Sequence, residues 1–423
     1  MTARAQIGSP GRLKARLLEA LEVRREELVE LCARAVRIPS ENPPGDTTAI
    51  ARFVREYLEA LGLAVREYAP KPDRPNLVAS LGEARPHLVL NAHLDEFPAT
   101  GEGWRHPPFA GVVEEGRLYG RGASDMRAGL AVSLFLARLL VDLRLRLPGR
   151  LTLSYSSDEE SGGTWGTRWL LEHAPELRGD ACLIGDQCGP WAIGIGEKGG
   201  CWLRARTRGG ASHAAYGTRD SATARLVEAL RVIRSLADLV PATPEDLRPV
   251  IERQRPLVAA AWGAEAPEIL DRVTVNIGTL RGGTAINLVA EEAVAEVDIR
   301  MPVGLTSSAI LKELDRRLAA AGLAGVEIET LTVFEPAYTP PGSPIVRVTE
   351  AASAEALGRA SLPVVRLGAT DARYFRAAGI PTVVFGPTAH GMGGANEYVT
   401  LDDLFATARV HAGVVADFLT GGA

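Results

Sequence analysis

The chain has 423 residues, too many for one compact core, so two domains are the expectation. Hydrophobic residues make up 46% and charged residues 23%, the balance of an ordinary soluble globular protein. A net charge of −5 argues against a nucleic-acid partner, and no apolar run reaches the roughly 18 residues of a membrane span.

In chain order, residues 13–36 carry apolar positions at helical spacing and predict one helix. A second helix is expected over 47–61, stopped by Gly62. Strands follow at 64–67, 76–80 and 88–91, then a helix over 127–143, a strand from Leu151, a helix over 164–173 and a strand from Ala181. This alternation predicts a layered α/β domain with a largely parallel central sheet. Near Glu197 the pattern changes to a strand (201–207), a helix (221–236), a proline-rich loop region, two strands (272–280 and 293–300), a helix (307–320) and a strand (326–333). That order is the β-α-β-β-α-β of a ferredoxin-like sandwich. A linker at 336–344 precedes renewed helix/strand alternation. Residues 1–196 and 336–423 therefore form one expected domain, with 197–335 inserted into it. Cys32, Cys182, Cys188 and Cys201 form no CxxC pair, and the charged segment 4–37 holds no apolar leader, which points to a cytoplasmic protein with reduced thiols.

Several predicted strands end on side chains that can bind metal. The run 87–94 closes with His93 and Asp95, the run 151–156 with Asp158, Glu159 and Glu160, and the run 181–185 with Asp186; the run 381–385 leads to His390. In open α/β sheets ligands gather beyond the carboxyl ends of strands, so these groups suggest one pocket of carboxylate and imidazole. His93 and Asp95 leave a strand on one face, as ligand and orienting acid or as a core histidine beside a surface acid. Asp125, after Gly120 and Gly122 and before a helix, is a helix cap or a carboxylate that bridges two metal ions. Of the adjacent pair Glu159-Glu160, one can bind metal while the other shuttles a proton; the plain reading is an exposed acidic loop. Asp186 is a loop cap or a terminal ligand. His87, His106, His173 and His411 read as surface residues.

These residues resemble the M20 metallopeptidases and deacylases, a family that includes acetylornithine deacetylase, succinyl-diaminopimelate desuccinylase, aminoacylase-1 and the glutamate carboxypeptidases. The resemblance runs over 31–419 and rests on His93-Leu94-Asp95, the 120–126 segment, Asp158-Glu159-Glu160, the glycine-rich approach to His213, 276–287, Asp298-Ile299-Arg300, Thr370-Asp371-Ala372-Arg373 and Asn396-Glu397-Tyr398. It implies a zinc-peptidase-like catalytic domain carrying an inserted α+β lid that mediates a homodimer. It also implies His93, Asp125, Glu160, Asp186 and His390 as ligands of two Zn2+ ions, with Co2+ or Mn2+ as alternatives. Glu159 becomes the general base, Asp95 the acid that orients His93, and His213 a lid residue that stabilises the oxyanion in a partner subunit's site. Asn287 and Arg300 become substrate contacts. The sequence departs from the family at Gly393, which stands where a ligand histidine is usual; either the surrounding glycines bring His390 onto the metal or the second ion lacks an imidazole. The implied function is hydrolysis of the amide bond of a small N-acyl amino acid or dipeptide by a metal-activated water. The alternative is a catalytically impaired homologue that binds a small ligand or partner in the same cleft.

Overall fold

The structure, a computed structural model, describes residues 10–217 and 220–421. Residues 1–9 and 422–423, the two ends of the expected outer domain, and 218–219 of the insertion lie outside the described residues. The chain forms two compact units, one of Met1–Ile195, Thr339–Val364 and Thr370–Ala423, the other of Gly196–Tyr338 with Val365–Ala369.

In the first unit the strand His87–His93 is the axis of a mixed sheet. It pairs parallel with Arg150–Ser156 on one side and Ala181–Ile184 on the other. Ala181–Ile184 in turn pairs parallel with Thr382–Val384. Antiparallel strands flank this parallel centre: Val65–Tyr68 and Asn76–Leu81 beyond Arg150–Ser156, and Ala192–Glu197 beyond Thr382–Val384. The sheet is thus parallel only where the helical crossovers demand it. Every residue of His87–His93 is buried, as expected for a strand covered on both faces. The helix Ala128–Asp142 is apolar around most of its circumference and packs on that strand and on the helices Arg25–Val36 and Leu401–Leu419.

The second unit holds a four-stranded antiparallel sheet in the order Thr274–Gly282, Glu292–Met301, Gly199–Arg208, Glu327–Phe334. Helices Ala222–Ser235 and Ser307–Ala320 contribute Leu226, Leu230, Ile233, Ile310 and Leu314 to its core. Thr274–Gly282 is an edge strand and largely exposed.

Three local expectations need correction. The helix expected over 13–36 is two, Pro10–Val23 and Arg25–Val36, because Arg24 leaves helical geometry (φ −111°, ψ 27°) and its guanidinium binds Glu27 and Asp142. The proline-rich loop contains the 15-residue helix Arg248–Trp262. Pro249 sits in its first turn, where a missing N–H costs nothing, and only Pro256 interrupts the ladder. From this helix Gln254 exchanges two 2.8 Å hydrogen bonds with the Val365 main chain, which ties Val365–Ala369 to the second unit. Finally, His87 and His411 are buried rather than on the surface. The His87 ring meets Thr152 Oγ1 at 2.8 Å, and His411 Nε2 donates to the Phe385 carbonyl at 2.7 Å. Among the described residues no helix is long and apolar enough to cross a membrane.

Burial holds the His411 imidazole down to about 4, against its ordinary value of 6.5. Between those values the unfolded chain takes up a proton that the folded chain refuses, so stability falls as pH drops through this window. The loss from this residue between pH 7 and pH 5 is expected to be about 2 kcal/mol. Chemical denaturation at both pH values checks this: His411→Gln should lose correspondingly less, and an equal loss in that variant contradicts the assignment.

Candidate metal centre

Three parallel strand ends bring the donors together. His93 is level with Ser156 and Asn91 with Ile184, so His93-Leu94-Asp95, the turn after Ser156 and the loop carrying Asp186 emerge side by side. The 120–127 loop crosses beside them. Gly122 adopts φ +76°, a backbone that favours glycine, and a Cβ there would lie 2.5 Å from Glu96 Oε2 and displace it. Asp125 has extended rather than helical geometry (φ −129°, ψ 92°), and the Asp125–Met126 peptide is cis. Three residues later the helix Ala128–Asp142 meets the sheet at Gly129. A Cβ on Gly129 would lie 2.2 Å from the Gly185 carbonyl oxygen, and one on Gly185 would lie 2.7 Å from Gly129 Cα. Two backbones in contact therefore set the approach of Asp125 to Asp186.

His93, Asp125 and Asp186 are buried, and each offers a donor atom within 4.8 Å of the others'. His93 Nδ1 faces the main-chain carbonyl of Asp95 at 3.0 Å, and Nε2 faces Asp125 Oδ1 at 3.0 Å. Both ring nitrogens thus point at oxygen acceptors. The ring must carry two protons, or Nε2 must share Asp125 with a cation. Burial alone would depress the His93 imidazole, but the hydrogen bond and charge of Asp125, with Asp95 and Glu160, outweigh it and raise it well above 6.5. Glu160 is pushed well above the usual carboxyl range by burial and then by Asp125, and its Oε1 is buried with no hydrogen-bond partner. Burial pushes Glu159 up to about 8 against the pull of Arg373, whose Nη1 lies 3.5 Å from Glu159 Oε1. An orphaned carboxylate oxygen, an imidazole aimed at a carboxylate and a surplus of buried acid form a donor set suited to a divalent metal such as zinc.

Asp95 differs from its expected part. Its carboxylate is 3.6 Å from His93 Nδ1, and the shorter contact to the ring is made by its main-chain carbonyl. The carboxylate instead accepts from the N–H groups of Glu159 and Glu160, each at 3.0 Å, and from Asn42 Nδ2 at 2.8 Å. It therefore holds the turn that presents both glutamates. Asp158 supports the same turn: at φ +77° it binds Ser161, Arg74 and the Trp165 N–H. His390 lies outside the three-donor cluster, partly exposed, with its ring stacked on Tyr398 at 4.5 Å and 4°. His213, Asn287 and Arg300 belong to the second unit. There His213 and Asn287 are exposed and meet at 3.3 Å, while Arg300 Nε binds both Asp298 oxygens at 2.9 Å.

Sequence reasoning gave no part to Asn42, Asp371, Arg373 or Glu397. Asp371 is buried and accepts from Ser156 at 2.8 Å and Thr167 at 2.6 Å. Glu397 accepts five hydrogen bonds from the 121–125 loop. The signal was present for three of the four, since Thr370-Asp371-Ala372-Arg373 and Asn396-Glu397-Tyr398 are both quoted in the resemblance. Asn42, between Glu41 and two prolines, carries no such mark.

Asn at position 95 would have to turn an amide N–H towards another donor, at Glu159 N or Glu160 N. Asp95→Asn should weaken zinc retention about 10–100-fold in chelator competition while the chain stays folded. Retention equal to the unaltered protein would remove Asp95 from the support of the centre.

The model of peptidase family M20/M25/M40 matches residues 89–417. A succinyl-diaminopimelate desuccinylase of Methylorubrum extorquens is 30% identical over 403 residues, covering 91% of this chain and 97% of that protein. An M20 family metallo-carboxypeptidase of Sulfolobus solfataricus shares the fold with a TM-score of 0.78 at 20% identity, covering 93% of this chain and 99% of the other. The dipeptidase Dug1p of Saccharomyces cerevisiae does so with a TM-score of 0.76 at 15% identity, covering 96% and 98%. With a buried donor cluster at the strand ends and a family match across most of its length, the chain belongs to peptidase family M20/M25/M40 and is a metallohydrolase of amide bonds.

Proposed function

We propose that the chain is a dinuclear zinc hydrolase that cleaves the amide bond of a small N-acyl amino acid or dipeptide, with Glu159 as general base. The observation that carries this is the pairing of the His93, Asp125 and Asp186 cluster with a single turn, held by Asp95, that presents Glu160 and Glu159 next to it. The names of the similar proteins support the substrate class: one removes a succinyl group and another cleaves dipeptides.

His93, Asp125 and Asp186 would hold one ion. Asp125 and Glu160 would share the second, with His390 as the imidazole available once it leaves Tyr398. When bound, the zinc pair supplies an activated water near neutral pH and polarises the amide carbonyl. The Glu159 carboxylate would take a proton from the attacking water and return it to the leaving amine. Its burial suits it to carrying a proton near neutrality, and Arg373 keeps its carboxylate from drifting away. Arg300 can pair with a substrate carboxylate through its guanidinium, with Asp298 fixing the plane of the fork.

The same reading makes the second unit a lid and a dimer contact. Its edge strand Thr274–Gly282 leaves Leu280 56% exposed, and the following segment leaves Ile286 fully exposed and Leu288 47% exposed. Such apolar exposure beside an unpaired strand edge fits a second copy of the chain. His213 and Asn287, exposed and paired, are available to a partner's site. The cytoplasm suits the buried thiols of Cys32, Cys182 and Cys201. No observation favours a catalytically impaired binder.

Glu159→Ala should lower kcat about 10²–10⁴-fold on the best member of a panel of N-acyl amino acids and dipeptides. Elemental analysis after reconstitution and desalting should still find as much zinc as in the unaltered chain. Near-full activity in the variant would sink the mechanism.

A further inference from the structure

We propose that Glu397 is a positioning residue for the metal centre: its carboxylate binds no metal but gathers the donors of the 121–125 loop and so fixes where the Asp125 carboxylate stands. The inference rests on the hydrolase reading above. Glu397 is 1% exposed. Its Oε2 accepts from Arg121 Nη1 at 2.7 Å and Gly122 N at 3.1 Å. Its Oε1 accepts from Ser124 N at 3.1 Å, Ser124 Oγ at 2.9 Å and Asp125 N at 3.3 Å. Five donors fill the roughly four lone-pair positions of a carboxylate, which leaves neither oxygen for a cation.

The placement makes this more than a satisfied buried acid. No helical ladder aligns Asp125, whose φ and ψ lie outside the helical region. What orients its main chain is a set of N–H groups converging on one carboxylate, the last of them its own. The Glu397 main chain adds a sixth tie, accepting from Gly120 N at 2.9 Å. Asn396 anchors the same corner to another loop: its Oδ1 accepts from Arg105 N at 2.6 Å and its Nδ2 donates to the Gly103 carbonyl at 2.9 Å. Arg121, already bound to Glu397, also donates to the carbonyls of Pro98 and Gly393 at 3.2 Å. The 97–105 loop, the metal-site loop and the glycine-rich 391–394 segment therefore converge on Asn396 and Glu397. An acid that aligns the backbone of a shared ligand sets affinity for the metal as directly as a group that hydrogen-bonds the ligand's side chain.

The test is chelator competition for zinc on the folded full-length chain, with circular dichroism to confirm folding. Glu397→Gln keeps the shape but must turn an amide N–H towards main-chain donors; it is expected to weaken zinc about 10–100-fold. Asp180→Asn is the control, because Asp180 binds His87 N at the opposite end of the same strand from His93. It should cost stability and leave zinc affinity unchanged. Should Glu397→Gln fail to fold, Ser124→Ala, which deletes one donor and leaves the carboxylate, is expected to weaken zinc a few-fold. Unchanged affinity in a folded Glu397→Gln chain, or in Ser124→Ala where that variant stands in for it, overturns the inference while the hydrolase reading stands. An unaltered chain that holds no zinc overturns that reading and this inference with it.

Discussion

Buried negative charge governs this protein. Beyond the ends of three parallel strands the chain packs Asp95, Asp125, Glu159, Glu160, Asp186 and Asp371 around one imidazole. Carboxylates removed from water are costly unless positive charge joins them. The nearby arginines go only part of the way: Arg121 is matched to Glu397 and Arg127 to Glu96, both pairs fully buried, and Arg373 lies beside Glu159. Around His93 the acids still outnumber the cations. A divalent ion at that spot would turn mutual repulsion into attraction, so metal binding would stabilise this region.

The arrangement is nested. The sheet supplies the height of His93 and Asp186, and the loops supply the place of Asp125 and the direction of the side chains. Those loops are themselves held by buried acids outside the three-donor cluster: Asp95 for the Glu159–Glu160 turn, Asp158 for the start of that turn, Glu397 for the Asp125 loop. Networks of this kind rigidify only when every member is satisfied. For Asp95 and Glu397 most of the donors are backbone N–H groups, and these cannot swing away as a long side chain can.

This division explains what the sequence revealed. The candidate donors His93 and Asp186 of the buried cluster were legible because a strand's apolar run and the acid or histidine that follows it are adjacent in the chain. The order of strands and helices in the second unit, apart from Arg248–Trp262, was legible from apolar spacing. The proline-rich segment was misread because proline signals a break, although Pro249 falls in the one turn of a helix that tolerates it. His411 was misread because a helix buried around most of its surface has no polar face to betray which positions are inside. The supporting acids were invisible for another reason. Asp95 and Glu397 act on the backbone of residues 64 and 273 positions away, and nothing in an acid's neighbours announces which distant N–H groups it will collect.

The contact between Gly129 and Gly185 works as a gauge. With a helix backbone touching the backbone just past the strand Ala181–Ile184 and no side chain between them, the distance from the Asp125 loop to the Asp186 loop does not depend on rotamers. Side chains can turn to suit an ion, but the frame can widen only by lifting the first turn of Ala128–Asp142 off the sheet and separating the apolar surfaces behind it. In such a frame, widening the gap between Asp125 and Asp186 would be resisted by main-chain packing and the hydrophobic core rather than by the ligands' rotamers.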